Sequence, residues 1–304
     1  MEGLSVTIRS ACDRHLFQGI ALPNGGPLLS HLMYADDATF IGEWSDVNLI
    51  NLNRILRCFH VASGLKVNLG KSKLYGIGVE ENEIRNMAGI RNCNSGNLPF
   101  IHLGLPIGAN MKLAKNWNPI VEKFNKKLSN WKADNLSLGG RTTLVKSVMG
   151  SLPLFYFSIY KAPACVINKL ESIRRKFLWS VSKGGRKIHW VDWGRVSRPK
   201  DKGGLGIGCL RTLNVALLAK WIWRLKGEEN SLWAKCIVAW HNIKGIDGKP
   251  ISKASLAGTW RIIANIMLRL GLDKLRRARH RKVGVYWAAR PYDAGPSELV
   301  QPGS

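Results

Sequence analysis

Two carboxylates stand side by side, Asp36 and Asp37, between apolar runs in the stretch SHLMYADDATFIGEW, residues 30–44. Residues of this type at this spacing either close a turn, where Asp is common, or hold a metal ion. The chain has 20 acidic residues against 46 basic ones, so an adjacent acidic pair stands out. The formal net charge is +26 over 304 residues. A compact chain this basic repels itself unless a polyanion shares the space. Nucleic acid is the best-matched partner, because Lys and Arg bound to phosphates release counterions and so drive association. An acidic membrane surface, or solubility alone, is the competing explanation. At 45% hydrophobic residues the chain can bury a core of its own.

Other chemistries are poorly supplied. Cys12, Cys58, Cys93, Cys165, Cys209 and Cys236 form no C-x-x-C pair, which argues against a zinc knuckle and a disulfide framework and for reduced thiols. His189, Cys209, Cys236 and His241 are too irregularly spaced for a zinc set. Gly203-Gly204-Leu205-Gly206-Ile207-Gly208 lacks the flanking strand and helix of a dinucleotide fingerprint and reads as a loop. The N-terminus lacks the long apolar run of a signal peptide. No stretch offers the roughly 18 apolar residues of a membrane span. The expectation is an intracellular protein of the nucleus or cytoplasm, not secreted and without a membrane partner.

The elements that must position the acidic pair follow from periodicity. Residues 1–16 read as an amphipathic helix with Leu4, Ile8, Ala11 and Cys12 on one side. No cap precedes it, so the chain reads as beginning inside a domain. After the turn cluster 23–27, strands at 28–34 and 38–42 form a hairpin with the Ala-Asp-Asp corner between them. A helix over 46–62 follows, with Asp46 as N-cap and Gly64 as a left-handed stop. Short strands are expected at 65–68 and 73–78, a helix at 80–90, a loop at 92–97 and a tight hairpin at 100–107. From about 112 the pattern is helical, with helices expected at 117–131, 140–150, 164–179, 213–225, 233–240 and 259–270. The class is α+β.

Tyr34-Ala35-Asp36-Asp37 inside an apolar hairpin resembles the catalytic corner of reverse transcriptases. Gly64-Leu65-Lys66-Val67-Asn68-Leu69-Gly70-Lys71-Ser72 is similar to the next block of the non-LTR (LINE-type) enzymes, and His102-Leu103-Gly104-Leu105-Pro106-Ile107-Gly108 to the block after it. LSNWKADNLSLGGRTTLVKSVMGSLPLFYFS, INKLESIRRKFLW and KGGLGIGCLRTLNVALLAKWIWR resemble the thumb and post-thumb region of plant LINE-type elements. The likeness runs from residue 1 to about 270. It implies a partial palm over 1–110, a short antiparallel sheet with helices, and a helical thumb and connection region over 111–270. The remaining 271–304 form a basic, Pro/Gly-rich tail expected to be disordered.

The resemblance also implies RNA-directed DNA polymerisation by two-Mg²⁺ nucleotidyl transfer, with an RNA template, a DNA primer and deoxynucleoside triphosphates as partners. Asp36 would be the principal Mg²⁺ ligand and Asp37 the supporting one, since magnesium takes hard oxygen donors. Lys71 would lie near the incoming nucleotide's phosphates, as a general acid. Tyr34 and Ala35 would lie beneath the primer terminus, and Leu103 and Gly104 in the hairpin that grips the primer. Lys123, Lys126, Lys127, Arg141 and Lys146 would contact the template–primer backbone.

The sequence departs from that pattern in one decisive place. The palm needs a third aspartate on a neighbouring strand, and the only acids before Asp36 are Glu2 and Asp13. Asp13 falls at a helix end. Two carboxylates without the third bind the metal pair poorly, and the expectation is a chain that does not polymerise by itself. A non-catalytic nucleic-acid-binding protein and a retroelement relic are the alternatives.

Between 112 and 146, Lys112, Lys115, Lys123, Lys126, Lys127, Lys132, Arg141 and Lys146 face only Glu122 and Asp134, with Trp117 and Trp131 interleaved. Arg174, Arg175 and Lys176 continue the basic series, and 274–282 carries six basic residues and no acid. Such a face suits phosphate contacts, which position a strand without reading its sequence. Each Trp is equally explained by core packing.

Overall fold

A computed structural model describes residues 2–90, 92–129, 136–179, 191–243 and 258–269. The architecture is α+β: short two-stranded sheets and helices in the first third, then helices.

Helix α1 (Glu2–Asp13) buries Leu4, Ile8, Ala11 and Cys12, the stripe that the 3.6-residue period demands. A short pair, β1 (Ile20–Ala21) with β2 (Leu28–Leu29), precedes the hairpin of β3 (His31–Tyr34) and β4 (Asp37–Phe40). Leu28 and Leu29 therefore pair with β1, so the apolar run 28–34 serves two sheets instead of one long strand. Ser30, buried between them, is where the chain changes partner, although its carbonyl still accepts from Ile41 N at 2.8 Å.

Helix α2 (Asp46–Ser63) starts at Ser45, whose hydroxyl accepts from Asn48 N. Asp46, the expected cap, lies in the first turn, where its charge still favours the positive end of the helix. Gly64 stops α2 in the left-handed region at φ 73°. Met33 and Phe40 from the hairpin close a cluster with Leu4, Ile8, Phe17 and Ile55.

Residues 65–68 form no strand. Strand β5 (Lys73–Tyr75) pairs in parallel with β6 (Asn94–Gly96), with α3 (Glu81–Ile90) as the crossover. The 92–97 segment is thus partly strand, a pairing that only the returning chain can create. Strands β7 (Phe100–His102) and β8 (Leu105–Ile107) form the expected hairpin. Tyr75 stacks on Phe100, ring centroids 4.0 Å apart, and so joins these two units.

Helix α4 (Asn118–Ser129), preceded by a 3₁₀ turn Ala114–Trp117, opens the helical part. It continues with α5 (Leu138–Ser151), α6 (Leu154–Ile159), α7 (Ala164–Leu178), α8 (Trp193–Val196), α9 (Leu210–Gly227), α10 (Leu232–His241) and α11 (Gly258–Arg269). The largest cluster packs Trp117, Ile120 and Phe124 against Val145, Met149, Phe157, Leu170 and Leu178. Leu105 of β8 is buried in it, and Tyr160 Oη donates to Pro106 O at 3.2 Å, so the β7–β8 hairpin packs on the helices. Asn214 on α9 is 1% exposed; it accepts from Ala162 N and donates to Phe157 O and Tyr160 O, clamping the end of α6. At the far side, Asn24 Nδ2 donates to Ala239 O, and Gly26 packs so closely on α10 that a Cβ there would lie 2.3 Å from the Ala239 methyl.

No helix among the described residues is long and apolar enough to cross a membrane. The tail 271–304, the basic run 274–282, Trp131, Lys132, Asp134 and His189 lie outside the described residues.

Candidate functional site

The acidic pair sits at the tip of the β3–β4 hairpin. The register closes with Tyr34 opposite Asp37, leaving Ala35 and Asp36 as a two-residue turn. Ala35 adopts φ 49°, a left-handed conformation that costs an L-residue about 1–2 kcal/mol. Paired residues share a face, so Asp37 stands with Tyr34, Leu32 and Thr39 on the outer side, and Met33 and Ala38 alternate inward. Asp36 and Asp37 are both exposed, and Tyr34 is 66% exposed. The hairpin's base is fixed from within. Ser5 Oγ lies 2.7 Å from His31 Nε2, and Ser30 Oγ lies 2.9 Å from His31 Nδ1. Burial, with the nearby Arg9 guanidinium, pushes the His31 pKa down. An apolar floor and a pinned base thus present two carboxylates to solvent.

Two carboxylates are two of the three that the palm's metal pair needs. Among the described residues no group of three His, Cys, Asp or Glu side chains is placed to hold a metal ion. Asp13, at the end of α1, does not join the pair in such a group. The described donors therefore do not by themselves fit a two-Mg²⁺ centre. Cys209 is exposed, Cys236 half-buried and His241 buried, and they form no such group either.

Lys71 is held in a turn built on Asn68. Asn68 Oδ1 accepts from Lys71 N at 3.1 Å, and Asn68 O accepts from Ser72 N at 3.0 Å and Ser72 Oγ at 2.8 Å. The Lys71 side chain is exposed. Leu103 and Gly104 form the two-residue turn of the β7–β8 hairpin, with φ 49° and 79°. The three motif segments thus rest on three packing units: the α1–α2 cluster, the β5–α3–β6 unit and the helical cluster.

On α4, Ile120, Val121 and Phe124 face the core while Lys123, Lys126 and Lys127 are exposed on the other side. On α5, Arg141 is half-buried and Lys146 exposed. Trp117 is fully buried, its indole N–H donating to Met111 O at 2.9 Å, so it belongs to the core and not to a stacking surface. Arg174 departs from the basic surface in which its neighbours place it. It is 1% exposed, paired with Glu171 at 2.8 Å and donating to Ile207 O and Gly208 O.

Sequence reasoning missed a second basic constellation. Lys146 on α5, Arg198 and Lys200 after α8, and Arg211 at the start of α9 line one cavity of about 700 Å³. The available signal was the density of Lys, Arg and Gly over 195–211, which reads as an ordinary loop.

No family model matches the sequence. The chain is 37% identical over 147 residues to an Arabidopsis thaliana protein named "Putative ribonuclease H protein", covering 48% of this chain and 24% of the relative. It is 34% identical over 88 residues to an "Uncharacterized mitochondrial protein" of the same plant, covering 29% of this chain and 57% of the relative. It is 27% identical over 189 residues to the "Transposon TX1 uncharacterized 149 kDa protein" of Xenopus laevis, covering 59% of this chain and 13% of that protein. The chain thus spans between about an eighth and somewhat over half of these relatives' lengths, and it is similar to a transposon-encoded protein and to plant proteins.

Proposed function

We propose that this chain is the palm–thumb part of a LINE-type RNA-directed DNA polymerase, and that in its 304-residue form it binds nucleic acid without polymerising. The observation that carries the reading is the Tyr34-Ala35-Asp36-Asp37 corner. It lies at a two-residue hairpin tip with both carboxylates in solvent, where a primer end and metal ions have access. Similarity to a transposon-encoded protein supports the same descent. In this reading Asp36 and Asp37 stand where the Mg²⁺ ligands of such an enzyme would lie, and Lys71 would face the nucleotide phosphates. Tyr34, Ala35, Leu103 and Gly104 position the primer, and Lys123, Lys126, Lys127, Arg141 and Lys146 track the duplex backbone. The lack of a third carboxylate in the described donor set favours the non-catalytic form. Two ligands hold a metal pair loosely, and small misplacement of reacting atoms costs orders of magnitude in rate.

The test is primer extension on poly(rA)/oligo(dT) beside duplex binding measured by anisotropy. The expected result is incorporation at background and tight, salt-sensitive binding that Asp36→Ala leaves intact. Robust incorporation that Asp36→Ala abolishes overturns the inactive form and makes the chain an enzyme. Absence of binding to the template–primer removes the nucleic-acid reading altogether.

A further inference from the structure

The cavity beneath the start of α9 combines features that no role in the palm accounts for. Its volume is about 700 Å³. Four cations line it from three parts of the chain: Lys146, Arg198, Lys200 and Arg211. None of the four has an ion-pair or side-chain hydrogen-bond partner among the described residues. They converge in spite of mutual repulsion. A Cβ built on Gly206 would lie 3.7 Å from Lys146 Nζ and 3.5 Å from Lys200 Cγ, so both lysines gather over one glycine.

The acid in the wall is already committed. Glu171 Oε2 takes Arg174 and the Trp193 indole N–H, and its Oε1 takes Leu210 N at 2.7 Å. Its charge is offset by a buried guanidinium, which leaves the four peripheral cations unopposed.

The wall is also rigid. Leu205 N, Gly206 N and Gly208 N donate to Val196 O, Arg198 O and Ser197 O at 2.9, 2.8 and 3.2 Å, doubling the chain back on itself. A Cβ at Gly204 would lie 2.1 Å from Arg198 O, so a side chain there would force the two segments apart. Arg198 and Lys200 are therefore held in place by backbone geometry before any ligand arrives.

Donors without acceptors face the same space. Cys209 provides no side-chain cap to α9, and Leu213 is the first residue of the helix to bond back, to Cys209 O. Among the described residues the N–H groups of Arg211 and Thr212 have no acceptor. Ser197 Oγ, shielded from solvent in the wall, has no hydrogen-bond partner. By contrast, the start of α8 is closed by Asp192, whose carboxylate accepts from Gly194 N and Arg195 N. Open N–H groups, a hydroxyl and unpaired cations together specify an anion with several oxygens.

We infer that this cavity is a binding site for the phosphodiester backbone of a single nucleic-acid strand, with Lys146, Arg198, Lys200 and Arg211 as its phosphate ligands and Trp193 as an aromatic wall for a base. A strand suits it better than a lone phosphate. The cations come from separate elements around an open cavity, and an aromatic side chain beside a cationic groove is the combination that single strands use. The inference deepens the nucleic-acid reading above and shares Lys146 with it, whereas Arg198, Lys200 and Arg211 have no part in that reading.

The experiment uses the full chain and a short fluorescein-labelled single-stranded oligonucleotide. The double variant Arg198→Gln/Arg211→Gln, which leaves every residue of the duplex reading in place, should bind about tenfold more weakly and lose about 1.4 from the slope of log K against log salt, two single-strand contacts at ~0.7 each. Lys235→Gln, on exposed α10 surface, should match the wild type. A second measurement needs no variant. Cys209 lies in the cavity wall and is exposed, whereas Cys58 is exposed on α2. Saturating oligonucleotide should slow alkylation of Cys209 by iodoacetamide several-fold and leave Cys58 unchanged.

Equal alkylation of Cys209 with and without oligonucleotide overturns the inference, as does an unchanged affinity and salt slope in a folded double variant. Protection by inorganic phosphate or ATP with none from the oligonucleotide overturns the assignment to a strand and leaves a free-phosphate pocket. Loss of binding in Lys123→Gln/Lys127→Gln alone rejects the cavity while the nucleic-acid reading stands. Absence of any oligonucleotide or duplex binding rejects both.

Discussion

Two asparagines carry much of the fold's local order. Asn48 and Asn214 are 5% and 1% exposed, and each saturates backbone groups that would otherwise be buried without partners. Asn48 donates to Gln18 O and Glu43 O and accepts from Gln18 N, tying the segment after α1 to the start of α2. Asn214 does the same for the end of α6. Replacing Asn214 by Leu keeps the approximate volume and strands Ala162 N, Phe157 O and Tyr160 O. At about 1–3 kcal/mol for a buried polar group left unsatisfied, the variant should lose roughly 3 kcal/mol in urea denaturation. A loss below ~1 kcal/mol would mean that water replaces the amide. This role was partly legible beforehand. Asn214 falls on the buried stripe Leu210, Leu218, Ile222 and Leu225, and a polar residue on an apolar stripe is a signal that periodicity exposes. Which groups it satisfies was not legible, since Ala162 is 52 residues away.

At the scale of elements, helices were more legible than strands. Nearly every expected helix forms within a few residues of its place, because caps and apolar periodicity are local. The short α6 and α8 were missed, being too brief to show a period. Strand pairing is not local. The β5–β6 pair joins Lys73 to Asn94 in parallel across α3, and three-residue strands carry no alternation to read. The candidate site divides along the same line. The acidic corner and the Leu103-Gly104 turn lie at hairpin tips, where sequence is informative, whereas the cavity under α9 is assembled from distant segments.

Those two turns are alike in having a non-glycine residue first in the left-handed region, Ala35 and Leu103. With Gly104 at φ 79°, the second turn has positive φ at both positions, for which Asn-Gly is the preferred pair. Leu103 is 41% exposed, so little packing opposes a change. Leu103→Asn should stabilise the chain by about 0.5–1 kcal/mol, seen as a raised melting temperature. If Leu103 grips a primer, the same variant should weaken template–primer binding while the fold gains stability. A destabilised variant would show that the Leu103 side chain contributes more by packing than its conformation costs.

For the whole molecule, charge is the dominant unresolved force. The formal net charge is +26. Among the described residues, favourable pairing does little against it. Arg85–Glu81 and Arg224–Glu228 are exposed helix pairs, which solvent and salt screen. Arg174–Glu171 is buried and is consumed in holding α7 against the start of α9. Repulsion among Lys and Arg therefore outweighs attraction, most strongly at low salt, where the Debye length is about 30 Å at ~0.01 M against about 8 Å at ~0.15 M. Raising NaCl across that interval should stabilise the free chain and raise its melting temperature by several degrees, at ~2–4 °C per kcal/mol for a chain of this order. Over the same interval nucleic-acid binding should weaken, because salt competes for the phosphates. The two responses have opposite signs and one cause, so they test the charge argument together. A melting temperature that falls with salt would place the balance in attractive pairs and leave the cavity geometry as the sole support for a phosphate partner.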